Sequence, residues 1–304
     1  MQYKFSSLKH FALGAWLLLA SNLNYGQENT PGEPPEQNRT SRFYHQLSSG
    51  LHLPVYRDFA TSPLFYDGFG FYQGSGRLKR SDQKERLLKI GLSLSAVAAR
   101  VPESDFIQPG AMGTFGNFQL YYLRLWKLEK LSSDKNNVKV GGALVSTQNF
   151  RSNSSLQNNA LGLENLTNLM GSFQVTRDIS RKVPKQLNLW LLKPTLQPVE
   201  RELRFLFNTG LLNFNYRPGY AYSFDAEIVG EETDPLFWVL SDYRWSLNGW
   251  RLQTELEYIT YLGNGNARSF AYVWEAAHAP GRHEAFQMAS HQFRFTYYFF
   301  TKKR

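Results

Sequence analysis

Apolar and polar residues alternate with a period of two along most of the chain, the pattern of strands with one apolar and one polar face. The clearest stretch spans residues 236–262. In its first arm Phe237, Val239, Tyr243, Trp245 and Leu247 oppose Asp242, Arg244, Ser246 and Asn248, with Trp238 and Leu240 out of step. In the second, Trp250, Leu252, Leu256, Tyr258 and Leu262 oppose Arg251, Gln253, Glu255 and Glu257. Asn248-Gly249 between them tolerates the two positive φ values of a type I′ turn, so the stretch predicts a β-hairpin. Each arm is about twice the usual ~5–6 residues of a strand, and a strand tilted across a bilayer needs ~9–11.

The same period recurs at residues 47–57, in a glycine-rich stretch at 69–79, and at Leu88, Ile90, Leu92, Leu94, Ala96 and Ala98 opposite Lys89, Gly91, Ser93 and Ser95. In residues 118–130 the alternation slips near Tyr121, leaving Arg124 among apolar positions, which predicts a β-bulge. Further strands are predicted at 138–149, 169–176, 187–191 (weakened by Pro194), 203–208 and 212–224, with a turn at Thr209-Gly210 separating the last two. Phe293, Phe295, Tyr297 and Phe299 mark the final strand; residues 268–276 also alternate, as a further strand or an extension above the membrane. Short polar turns alternate with long loops. The pattern predicts an all-β fold, an antiparallel transmembrane β-barrel of about twelve strands, within a range of ten to fourteen, with short periplasmic turns and longer external loops.

Composition narrows the class. The 304 residues contain no cysteine and 15% aromatics, and the mean hydropathy is −0.43. The apolar run at residues 11–20, preceded by Lys4 and Lys9, is shorter than the ~18 residues of a spanning helix and reads as the core of a secretory signal peptide, residues 1–26. Residues 27–43, rich in Pro, Glu, Gln and Asn, read as a flexible periplasmic lead-in, and residues 44–304 as the barrel. Without cysteine there is neither a lipid-anchored amino terminus nor a disulfide framework. A net charge of +9 on an exported chain without a clustered basic stripe points to anionic lipopolysaccharide or anionic solutes rather than nucleic acid.

With the leader, the aromatic alternating strands and a last strand reading Phe293-Arg-Phe-Thr-Tyr-Tyr-Phe-Phe, the chain resembles a Gram-negative outer-membrane β-barrel protein over residues 44–300. The resemblance implies insertion by the barrel-assembly machinery, although Thr301-Lys-Lys-Arg leaves the aromatic terminal signal internal. It implies no particular activity, because one fold hosts channels, hydrolases and scaffolds.

Candidate chemistry is sparse. The His-x-Ser-Asn arrangement that the resemblance would supply in a barrel phospholipase, and the His-x-Ser of a lipid A deacylase, are missing at His45, His52, His278, His283 and His291. Ser290 and His291 are neighbours in a strand and point to opposite faces. His278, His283 and Glu284 share a predicted loop but match no metal-ligand spacing. No cofactor, metal or catalytic residue is expected. The polar face remains: Glu202, Arg204, Arg217, Asp242, Arg244, Arg251, Glu255, Glu257 and Arg294 are the candidate lumen-lining residues. Standing apart, they line a narrow channel or uptake path for small anionic solutes, and this is the function the sequence favours. If they pair, the interior is closed and the protein is a structural or assembly partner in an envelope complex; a lipid-modifying enzyme is the third reading.

Overall fold

The computed structural model describes residues 41–59, 62, 64–99, 112–153, 161–186, 195–218, 243–280 and 285–301. In chain order the strands are β1 (Arg42–Asp58), β2 (Tyr66–Arg80), β3 (Lys84–Ala99), β4 (Met112–Lys127), β5 (Asn136–Ser152), β6 (Leu161–Asp178), β7 (Lys185–Gln186), β8 (Thr195–Leu196), β9 (Arg201–Pro218), β10 (Tyr243–Leu247), β11 (Trp250–Tyr261), β12 (Ala267–Pro280) and β13 (Ala285–Phe300). Strands β1 to β6 pair in succession, β6 pairs with β9, β9 with β11, and β11, β12 and β13 lead back to β1, every pair antiparallel. Ten strands thus close into a barrel, and closure leaves no edge with unpaired backbone groups. β7 and β8 form a separate two-residue ribbon in the β6–β9 connection. The predicted signal peptide and most of the predicted lead-in lie outside the described residues, while β1 already starts at Arg42.

The barrel has ten strands where about twelve are predicted, for reasons that can be followed residue by residue. The predicted strands at 203–208 and 212–224 are one 18-residue strand, β9, as far as Pro218. Thr209-Gly210 is no turn. The β6–β9 register shifts by one residue there, and Leu211 and Leu212 both face outward, 64% and 49% exposed. That extra residue is a β-bulge, and it produces the change of phase that imitates a turn in the sequence.

The predicted hairpin at 236–262 is also a single line. Leu247 pairs with Phe214 and Leu252 with Thr209, so β10 and β11 run in the same direction along β9, with Asn248-Gly249 between them as a second irregularity beside Leu211. Gly249 has φ +92, a left-handed conformation used by glycine in one class of bulge as well as in type I′ turns. Asn213 Nδ2 donates to Gly249 O at 2.9 Å and Asn215 Nδ2 to Asn248 O at 2.5 Å, taking carbonyls where the ladder is interrupted. The 268–276 alternation belongs to β12, a full strand. The predicted strand at 187–191 lies outside the described residues, as do Phe237, Val239 and Asp242.

No bulge interrupts β4: its registers with β3 and β5 are continuous. Tyr121, Leu123 and Leu125 instead face the interior, and Arg124 lies outside with its guanidinium 4.9 Å from the Trp126 ring. The slip in alternation reflects a strand whose two faces are both apolar.

On the outside, Leu88, Ile90, Leu92 and Leu94 are 44–56% exposed, and Leu47, Leu51, Phe118, Leu120, Leu144, Phe205, Leu256 and Phe293 continue the apolar surface around the barrel. An apolar exterior this extensive is stable against lipid and not against water. Short turns join β2 to β3, β4 to β5 and β11 to β12 at the end where β1 begins and β13 finishes, here termed the turn end; the opposite end is the loop end. At the turn end Ser81 N donates to Lys84 O at 2.8 Å. Nearby, Glu129 is held below the ordinary carboxylate range by hydrogen bonds from Gln83 and then Lys127.

A four-residue Gly-Ser insertion after Asn248 should abolish the heat-modifiable folded form on a detergent gel, whereas the same insertion after Gly263, beside which a Cβ would meet nothing within 4 Å, should leave it intact; a hairpin at Asn248 would tolerate both. Leu256→Arg, on the lipid-facing side of β11, should lower unfolding stability in bilayers by about 2–4 kcal/mol if Leu256 sits near the midplane, read from urea unfolding.

Candidate functional site in the barrel interior

The interior is layered. Toward the loop end, Tyr56, Tyr66, Val97, Phe115, Leu166, Phe286 and Met288 form one buried apolar cluster, with the Tyr56 ring stacked 5.2 Å from Tyr66 and 5.1 Å from Phe115. Toward the turn end, Tyr44, Leu78, Leu87, Tyr121, Leu123, Leu125, Val145, Met170, Leu206, Ile259 and Tyr298 form another. A barrel of this size has an interior that side chains can fill, and large aromatic ones fill it fastest.

Charged side chains are set among these layers in three groups. In the first, Glu85 on β3 accepts from Arg204 at 3.2 Å and Gln174 at 3.1 Å and pairs with Arg80 at 3.3 Å and Lys139 at 3.5 Å. Arg204, on β9, also pairs with Glu255 at 2.8 Å and with Glu257, and Arg80 with Glu202 at 2.8 Å. Ser269 Oγ and Tyr298 Oη each donate to Glu257 at 2.5 Å.

The second group surrounds Arg251, which is 1% exposed. Its guanidinium donates to Glu275 at 2.9 and 2.5 Å, to Asn168 Oδ1 at 2.9 Å and to Thr147 Oγ1 at 2.7 Å, joining β11 to β12, β6 and β5. In the third, Asp58 accepts from Arg151 at 2.7 Å and Arg217 at 3.1 Å, Arg151 also binds Glu164, and Arg217 donates to Ala279 O at 2.6 Å.

Of the candidate lumen residues, Arg204, Arg217, Arg251, Glu257 and Arg294 are buried in the interior, and Glu202 and Glu255 are partly buried there. Asp242 lies outside the described residues, and of Arg244 only the backbone is described, paired with Arg217. Sequence reasoning overlooked Asp58, Glu85, Lys89, Lys139, Arg151, Glu164 and Glu275. A usable signal was present in β3, where Glu85 and Lys89 share the parity opposite Leu88, Ile90 and Leu92. It was also present at Lys139, between Val138 and Val140, and at Glu275, opposite Tyr272 and Trp274; at Asp58, Arg151 and Glu164 polar residues on both faces hid it.

Catalytic chemistry has little room here. Ser290 is buried, whereas His291 points outward and shares a hydrogen bond with the Tyr272 hydroxyl at 2.6 Å. His52 Nδ1 and Ser95 Oγ come within 2.9 Å, a nucleophile-and-base pairing that only the fold reveals. Both are about 2% exposed, and the Phe115 ring stacks over His52 at 6.4 Å, so no substrate reaches the pair in this conformation. His278 stacks on Trp250 at 6.2 Å; His283 and Glu284 lie outside the described residues. Among the described residues, two of the interior cavities have volumes of about 10 and 20 Å³, and a single water needs roughly 10–15 Å³.

Closure, an apolar exterior and a polar, charge-bearing interior now stand together. The architecture is that of an outer-membrane β-barrel. Among solved structures, the chain is similar to the translocator domain of autotransporter NalP from Neisseria meningitidis, at 9% identity and a TM-score of 0.33, with 96% of this chain and 98% of that one covered. It is also similar to the transport unit of autotransporter AIDA-I from Escherichia coli, at 7% identity and 0.30, covering 92% and 97%. A monoaromatic hydrocarbon channel, a TodX mutant, follows at 7% and 0.24, covering 84% and 90%. No protein-family model and no curated protein matches the chain. Likeness this slight has no weight of its own; the architecture rests on the sheet's closure and its two faces.

Arg204→Met should cost about 3–5 kcal/mol in urea unfolding, because Glu85, Glu255 and Glu257 lose the cation they share. Adding Glu257→Gln should recover part of that loss; equal stability of both variants and the parent would refute a shared ion network.

Proposed function

We propose that the chain resides in the outer membrane as a closed barrel, serving as a membrane-embedded structural or assembly partner rather than as a conduit. The observation that supports this reading is the occupied lumen. Two apolar clusters alternate with ion pairs that bridge strands across the interior, and the two cavities described toward the turn end have room for about one water each. Small anionic solutes, which the inward arginines would favour, meet guanidinium groups already engaged by Glu85, Glu275 and Asp58. Moving a solute through would require breaking buried ion pairs, a cost of several kcal/mol at each. The apolar exterior suits outer-membrane lipid as its surroundings.

Planar-bilayer recording of the purified, folded protein tests this. Silent bilayers, from protein that retains heat-modifiable migration, are the expected result. Discrete current steps with anion preference that weakens in Arg251→Gln would overturn it in favour of solute passage.

A further inference from the structure

The larger interior cavity, about 20 Å³, lies toward the turn end and is lined by Lys89, Arg294, Gln46, Ser48, Thr296 and Arg204, with Glu255 and Glu257 beside Arg204. It admits about one water-sized occupant. The surrounding charges do not balance. Arg80, Lys139 and Arg204 are tied to Glu85, Glu202, Glu255 and Glu257 by direct ion pairs, and Lys89 and Arg294 add two more cations, leaving the network with one more cation than carboxylate.

Both act on the one carboxylate of Glu255 that Arg204 also holds, so three cations share it. Lys89 is 8% exposed; among the described residues its ammonium makes no hydrogen bond or ion pair and lies 5.2 Å from the Tyr121 ring. Arg294 directs Nε and Nη2 to one neutral acceptor, Gln292 Oε1, at 2.9 and 2.6 Å, its guanidinium lies 4.0 Å from the Tyr72 ring, and its Nη1 stands 3.8 Å from Glu255. Glu255 is already held by Arg204 at 2.8 Å. A buried cluster in which cations outnumber carboxylates is costly.

From this geometry we infer a buried site for one small monovalent anion, of halide size, between Lys89 and Arg294. Ser48 and Thr296 share one hydrogen bond at 2.8 Å, so one of the two hydroxyl protons remains free to donate to the anion. A water in this position would satisfy hydrogen bonds but not the excess charge. Sulfate and phosphate exceed the volume. The anion would neutralise the turn-end network and hold β1, β3 and β13 together, whether or not the barrel conducts.

The test uses the full chain folded in detergent. Crystals soaked in sodium bromide should show an anomalous peak in this cavity. At constant ionic strength the temperature at which the folded form is lost should be higher in chloride than in gluconate, which is too large to enter. In Lys89→Met the chloride concentration giving half the effect should rise roughly tenfold or more, the loss of one charged hydrogen bond. A cavity occupied by water with no bromide peak, or equal transition temperatures in the two salts, would overturn the site. Should Lys89→Met fail to fold, the bromide map of the unmodified protein decides.

Discussion

Arg204 on β9 reaches Glu85 on β3 across the lumen, between strands that do not touch in the sheet. That contact, and the parallel ones from Arg251 on β11 to Thr147 on β5 and from Asp58 on β1 to Arg217 on β9, exist only because the sheet closes on itself. Closure in turn places every inward side chain in a medium with little water. Each inward charge must then find an opposite charge or several hydrogen bonds, since solvation no longer compensates it. The interior is accordingly built from groups in which one guanidinium serves two or three acceptors, a geometry for which arginine is better suited than lysine.

The exterior follows from the same parity. A residue one step from Arg204 or Glu85 faces outward, and there Leu203, Phe205 and Lys84 meet lipid or its boundary. Filling the inside as well as coating the outside explains why β4 is apolar on both faces along Tyr121, Tyr122, Leu123 and Leu125. It also ties the polar network to the apolar clusters. Tyr121 closes the turn-end cluster while its hydroxyl accepts from Asn208 at 3.2 Å, and Tyr56 stacks in the loop-end cluster while the Arg151 guanidinium lies 5.5 Å from its ring.

The two neighbouring irregularities, at Leu211 and at Asn248-Gly249, serve the interior directly. On β9, even-numbered Arg204, Leu206 and Asn208 face inward before the bulge, and odd-numbered Asn215 and Arg217 after it. Without the extra residue, Arg217 would point to lipid and Asp58 would lose a partner. Because the irregularity on the adjoining line sits alongside, the β9–β11 and β9–β10 pairings keep a common register, and the asparagines at 213 and 215 secure the break. A bulge that re-aims one charged side chain is a recurrent use of the motif.

Long, two-faced strands, one face apolar and the other carrying Arg204, Arg251, Glu257 and Arg294, are legible in the sequence, as is the place of the last aromatic strand in the sheet. Period-two alternation is a local property, so residues 84–99 or 250–261 reveal it without reference to any neighbour. Strand number was not local. Asn-Gly fits a type I′ turn and a glycine bulge equally, because both require the same positive φ, and Thr209-Gly210 followed by a phase change fits a turn and a bulge equally. Only pairing with β9 chose between them. The partners of the inward charges were likewise beyond reach: Glu85 and Arg204 are 119 residues apart in the chain, and their meeting depends on barrel closure and on how far each strand is staggered against the next. The filling of the lumen is likewise a property of the whole sheet, because whether charges face each other across water or interlock depends on the barrel's diameter, which is set by ten strands and not by any one of them.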